Sequence, residues 1–143
     1  MAPLIVLIVV TAVARLAGPI RDGWLDSWPH AVRIGLAAMF ALTASAHFFP
    51  PRRAALIAMV PTALPAAPAL VTANGILEIA GAVGLLIAPV APASAIFLAL
   101  LMVAMFPANV RAAGADLGIK SMPLPLRTLV QVLFIGACVV AVF

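Results

Sequence analysis

The sequence has one cysteine, Cys138, one glutamate, Glu78, and charged side chains at only 8% of its 143 positions. Each scarcity closes off a class of function. A single cysteine in the last apolar segment cannot form an internal disulfide or a two-thiol active site, and it reads as a small hydrophobe of a core or lipid-facing surface. With no cysteine pair, no haem-ligation pattern and no nucleotide-binding motif, electron transfer would need a bound organic cofactor or a partner. The shortage of charge accompanies 66% hydrophobic residues and a mean hydropathy of +1.29, whereas soluble domains carry about 25% charged residues. Such a chain cannot hide its apolar surface in water, so the bilayer is the solvent to assume. The net charge of +4 does not point to nucleic acid, because the basic residues are scattered at segment ends, where anionic headgroups and topology signals place them.

Five apolar segments, about 3–20, 30–49, 69–88, 93–112 and 125–143, are separated by proline and charge. They predict an all-α fold, a polytopic transmembrane helix bundle forming a single membrane domain over 1–143. The first segment carries Arg15 and must run on to Ile20 to approach the roughly 20 residues that span a bilayer. It lacks a positive n-region and a clean cleavage site, so it is expected to be a retained helix and not a signal peptide. The linker from Gly18 to His30 holds Arg21, Asp22, Asp26, Trp24 and Trp28, an interfacial belt, with Ser27 as cap of the second helix. Pro50 and Pro51 end that helix. Residues 52–68 open with Arg52 and Arg53 and are broken by Pro61, Pro65 and Pro68, which predicts an interfacial or re-entrant cover over one end of the bundle. The uncharged turn around Pro89 and Pro92 makes its two flanking helices antiparallel neighbours, and Pro107 should kink the next helix.

Depth gives the polar residues meaning. A carboxylate in the middle of the run from Ala69 to Pro89 costs roughly 3 kcal/mol or more unless it is protonated, paired or facing a polar cavity, so Glu78 is a functional-site hypothesis by default. With alternating helices, His47 and Asn109 lie near helix ends, and Asn74, Arg127 and Gln131 near helix starts, in one leaflet. Asn74 and Glu78 are spaced i, i+4, as are Arg127 and Gln131, so each pair shares a helix face. The expectation is a polar pocket in half the membrane, formed by Asn74, Glu78, Asn109, Arg127 and Gln131, with His47 at its mouth and Met59 to Pro65 closing it. Plainer readings stand beside this one. His47 can cap a helix, the amides can be interhelical glue, Arg127 can snorkel, and Glu78 can be a structural partner of Arg127.

The ordered series Arg33-Ile-Gly35-Leu, His47-Phe, Met59-Val-Pro61, Leu64-Pro65, Gly75-Ile-Leu-Glu78, Phe106-Pro-Ala-Asn109 and Leu126-Arg127 with Gln131 resembles the DoxX family of small bacterial membrane proteins. The resemblance implies a four-helix DoxX-like core, here preceded by a short N-terminal hydrophobic helix, and a multi-pass protein of the bacterial cytoplasmic (inner) membrane. Some members accompany membrane redox systems, including thiosulfate:quinone oxidoreductase subunits. Three functions follow as expectations: a pocket for a quinone or isoprenoid-like lipid in a membrane redox or stress-response system, a non-enzymatic assembly or scaffold subunit, and a proton-coupled carrier titrating at Glu78. In none of them is the chain an autonomous enzyme, and no metal site is expected. The expected partners are the lipid bilayer, a membrane protein or a second copy of the chain. By the positive-inside rule, Arg52, Arg53, Arg111, Lys120 and Arg127 face the cytoplasm, against Arg15, Arg21 and Arg33, which puts the N-terminus inside.

Overall fold

Six of the thirteen prolines sit at the second residue of a helix, where the missing N–H has no intrahelical partner to lose. They are Pro3, Pro29, Pro68, Pro92, Pro107 and Pro125. In the computed structural model, which describes residues 1–18, 24–114 and 122–143, they open α1 (Ala2–Ala17), α2 (Trp28–Ser45), α4 (Ala67–Leu85), α5 (Ala91–Ala104), α6 (Phe106–Gly114) and α7 (Leu124–Val142). A two-turn helix, α3 (Arg52–Met59), lies between α2 and α4, and one 3-10 turn, Trp24–Asp26, precedes α2. All regular elements among the described residues are helical. Arg21, Asp22 and Lys120 lie outside the described residues.

The helix ends differ from the apolar segments where side chains compete for the backbone. The second segment, expected to 49, stops at Ser45 and passes into a turn that carries His47. Thr43 Oγ1 lies 3.1 Å from the Phe40 carbonyl and Ser45 Oγ donates to the Leu42 carbonyl at 2.6 Å, local side-chain contacts with the backbone that loosen a last helical turn. The fourth segment is split. Pro107 cannot donate to the carbonyl of Val103, and the helix breaks at Met105, whose carbonyl then accepts from Ala108 and Asn109 N–H at 3.1 and 3.3 Å as α6 begins. The expected cover over 52–68 is helical only from Arg52 to Met59.

Helix α2 is central. It packs on α1, α4 and α7, while α5 packs on α4 and α7 and closes a ring with them. On α4 the buried positions Val71, Gly75, Glu78, Ala82 and Leu85 recur at helical spacing, and Ile76, Leu77, Ile79, Val83 and Leu86 on the other faces are exposed. In a bilayer those exposed side chains meet lipid. Helices α4, α5 with α6, and α7 are long and apolar enough to cross a membrane. The 16-residue α1 and the 18-residue α2, which carries His30 and Arg33, are not among them. α1 lies tightly on α2, since a Cβ on Gly35 would stand 2.9 Å from the Leu7 carbonyl oxygen.

The end of the bundle where α2 begins is held by polar contacts. Ser27 Oγ accepts from the His30 N–H at 3.3 Å and caps α2. Trp24 stacks on His30 at 4.2 Å, and Arg15 pairs with Asp26 beneath Trp28. Buried Arg33 donates from Nε to the Ala141 carbonyl at 2.8 Å, satisfying one of the open carbonyls at the end of α7.

Candidate functional site

At the opposite end the helices line a half-open cavity of about 500 Å³. Its first wall comes from the end of α2 and from α4. Glu78, 5% exposed, accepts from Thr43 Oγ1 at 2.8 Å on Oε2 and from Asn74 Nδ2 at 2.9 Å on Oε1. His47, 4% exposed, lies in the turn beyond α2, with Nδ1 3.1 Å from the Val71 carbonyl and Nε2 3.3 Å from Glu78 Oε1. Burial, and second the guanidinium of Arg53, hold the His47 pKa below its ordinary value. Gly75 lets this turn sit against α4, because a Cβ there would stand 2.6 Å from the Cβ of His47.

The second wall is a chain of amides on α5, α6 and α7. Arg127 donates from Nη1 to Asn109 Oδ1 at 3.0 Å and from Nε to the Met122 carbonyl at 3.3 Å. Asn109 Nδ2 donates to Gln131 Oε1 at 3.0 Å, and Gln131 Nε2 to the Met102 carbonyl at 3.0 Å, on the turn that precedes the break at Met105. A side chain thereby serves backbone where the helix is disturbed.

The third side is α3. Its residues Arg52, Leu56 and Met59 share a face and line the cavity, while Arg53 donates to the His47 carbonyl and, at 3.0 Å, to Thr72 Oγ1. Arg53 thus ties the cover to both α2 and α4. The first turn of α1, from Met1 to Leu4, completes the lining.

Of the residues expected to form the pocket, His47, Glu78, Asn109, Arg127 and Gln131 line the cavity. Asn74 stands behind the wall, with Nδ2 on Glu78 and 3.4 Å from His47 Nε2, where it positions both. The plainer reading of Glu78 as a partner of Arg127 is not met, since no ion pair joins them among the described residues: Glu78 is held by Thr43, Asn74 and His47, and Arg127 by Asn109 and the Met122 carbonyl. One expectation needs correction. The closing element is the Arg52, Leu56 and Met59 face, and of the segment from Met59 to Pro65 only Met59 reaches the cavity. Thr43, the tie made by Arg53 and the first turn of α1 were not legible as site features. Thr43 had one available signal, its i+4 spacing between Met39 and His47.

Among the described residues no group of three or more His, Cys, Asp or Glu side chains is placed to hold a metal ion. What the site offers chemically is two opposed sets of hydrogen-bonding groups, one carrying a carboxyl and an imidazole and the other a guanidinium and two amides. The space between them is lined by apolar side chains. No curated protein and no solved structure matches the chain. A family model described as a domain of unknown function, DUF8561, matches residues 36–140, from α2 into the last turn of α7, and the chain belongs to that family.

Proposed function

We propose that the chain is a DoxX-type multi-pass protein of the bacterial cytoplasmic membrane, in which α2, α4, α5 with α6, and α7 form a four-helix core. Its one-leaflet cavity binds a small amphipathic molecule, a quinone or an isoprenoid-like lipid, within a membrane redox or stress-response system. The observation that carries this reading is the open volume itself: both sets of polar groups line one cavity of about 500 Å³, within the range of about 300–1,000 Å³ usual for small-molecule sites. The closed ring of helix contacts supports the four-helix core, and the series of residues from Arg33 to Gln131 supports the DoxX likeness.

The test is mass spectrometry of solvent extracts from protein purified in lipid nanodiscs. A quinone or isoprenoid-like lipid in stoichiometric amount, depleted in a Glu78→Leu variant that still folds, is the expected result. Recovery of bulk phospholipid alone overturns it. One observation favours a scaffold as the second reading: Glu78 and Arg127 are already hydrogen-bonded within their own walls. In that case a membrane partner co-purifies in fixed ratio and no small molecule does.

A further inference from the structure

The methionines are segregated. About one residue in seven lines the cavity, yet all six methionines of the chain, Met1, Met39, Met59, Met102, Met105 and Met122, are among them. They reach it from α1's start, α2, α3, α5, the turn after α5 and the approach to α7. The buried core consists mainly of leucine and alanine, Leu36, Leu85 and Leu98 with Ala37, Ala82 and Ala95; Met39 belongs to it and Met102 packs against it, and both also face the cavity.

A methionine side chain is unbranched, turns about three bonds and presents a polarisable sulfur, so it refills irregular space at little cost, whereas β-branched residues are stiff. Surfaces that accept several partners use methionine for this reason. The polar groups are the opposite case. His47 is fixed by Val71, Glu78 by Thr43 and Asn74, and Arg127, Asn109 and Gln131 by one another. Their directions are set before any ligand arrives.

We infer that the cavity selects its ligand by the polar head and accepts apolar bodies of differing shape, so that its fixed polar groups are specific and its methionine lining is permissive. This rests on the proposed function as a binding site for amphipathic molecules. Thioethers also ligate soft cations such as Cu(I). Here, however, Arg52 and Arg127 line the same cavity against a single carboxylate, and that balance disfavours a cation.

The experiment measures dissociation constants in nanodiscs for decyl, geranyl and 3-cyclohexylpropyl tails. Each tail is carried on a benzoquinone, on a primary alcohol and on an unsubstituted benzene ring. With the better of the two polar heads, the three tails should agree within about threefold, and the benzene series should bind at least about tenfold more weakly. Replacing Met59, Met102 and Met105 together by isoleucine should widen the spread among tails to about tenfold while the preference for the head persists. If that variant is not monodisperse, the triple leucine variant is read in the same way. Tails that already differ more than about tenfold in the native protein, or an unchanged spread in the variants, overturn the inference and leave the binding function standing. Binding of no probe overturns the binding function itself. Stoichiometric uptake of Ag(I) by the native protein, lost in the variants, assigns the thioethers to a soft cation and also overturns the inference.

Discussion

Nε2 of His47 stands 3.3 Å from Oε1 of Glu78, and Nδ1 of the same ring stands 3.1 Å from the carbonyl oxygen of Val71. A carbonyl only accepts, so Nδ1 carries the proton. Asn74 Nδ2 donates to Glu78 Oε1 at 2.9 Å and faces Nε2 at 3.4 Å; with Nε2 an acceptor, the proton shared with Oε1, 3.3 Å away, resides on the carboxyl. The expected state of His47 at pH 7 is the neutral Nδ1–H tautomer, in keeping with the lowered pKa that burial and Arg53 impose. Nitrogen NMR of ring-labelled protein in nanodiscs should show one protonated and one unprotonated nitrogen, with the proton on Nδ1. A doubly protonated ring at that pH would refute the assignment.

Glu78 has hydrogen bonds from Thr43 and Asn74 and no ion pair with Arg127. Glu78→Gln keeps the shape and leaves an acceptor for one donor, while the new amide can donate to Thr43 Oγ1. Glu78→Leu strands the Asn74 amide and leaves Thr43 Oγ1 with the Phe40 carbonyl alone. The leucine variant should lose about 1–3 kcal/mol and the glutamine variant clearly less, because stranded buried polar groups carry the larger penalty. Unfolding in detergent measures both, and equal tolerance of the two would argue against any polar role for Glu78.

What the sequence made legible follows the direction in which each signal acts. Proline acts locally, so helix starts could be read from Pro29 and Pro125, whereas Pro68 and Pro92, read as breaks before helices at 69 and 93, lie inside the first turns of α4 and α5. The end of α2 could not be read, because the apolar run continues to Phe49 while the hydroxyls of Thr43 and Ser45 turn the helix off earlier. Position along the apolar segments, with the i, i+4 spacing of Asn74 and Glu78 and of Arg127 and Gln131, put these residues with His47 and Asn109 in one leaflet. Position along a segment carries no information on rotation about the helix axis. That is why opposite charge suggested pairing Glu78 with Arg127, although Thr43 and Asn109 are the neighbours that rotation brings to them. The i+4 spacing of Thr43 from Met39 and His47 is a weak signal in an apolar helix, and the α3 cover depends on Arg53 reaching two other elements.

Gly75 is a spacing requirement of the site. An added Cβ would stand 2.6 Å from His47 Cβ and 2.9 Å from the Phe48 ring, and the first of these is not the end of a flexible side chain. Gly75→Ala should therefore push the His47 turn away from α4, cost about 1–3 kcal/mol and shift the His47 ring resonances. Gly136→Ala is the control: a Cβ there meets nothing within 4 Å, so stability should hold or rise. If Gly75→Ala melts with the native protein and leaves the His47 resonances in place, the contact has been misjudged.

The charges at the two ends of the bundle give the orientation. Arg52, Arg53, Arg111 and Arg127 are on helices or helix ends at the cavity end, whereas Arg15 and Arg33 are at the other. The excess of arginine predicts that the cavity end faces the cytoplasm. Met1 lines the cavity and so lies on that side, while Phe143, beyond α7, lies outside. The single native thiol, Cys138, is only 1% exposed and contributes little labelling background. In bacterial cells, Phe143→Cys should react with a membrane-impermeant maleimide from outside. Leu64→Cys, on the exposed connection between α3 and α4, should react only once the membrane is permeabilised. The reverse pattern would invert the orientation, and reaction of both from one side would require an even number of crossings.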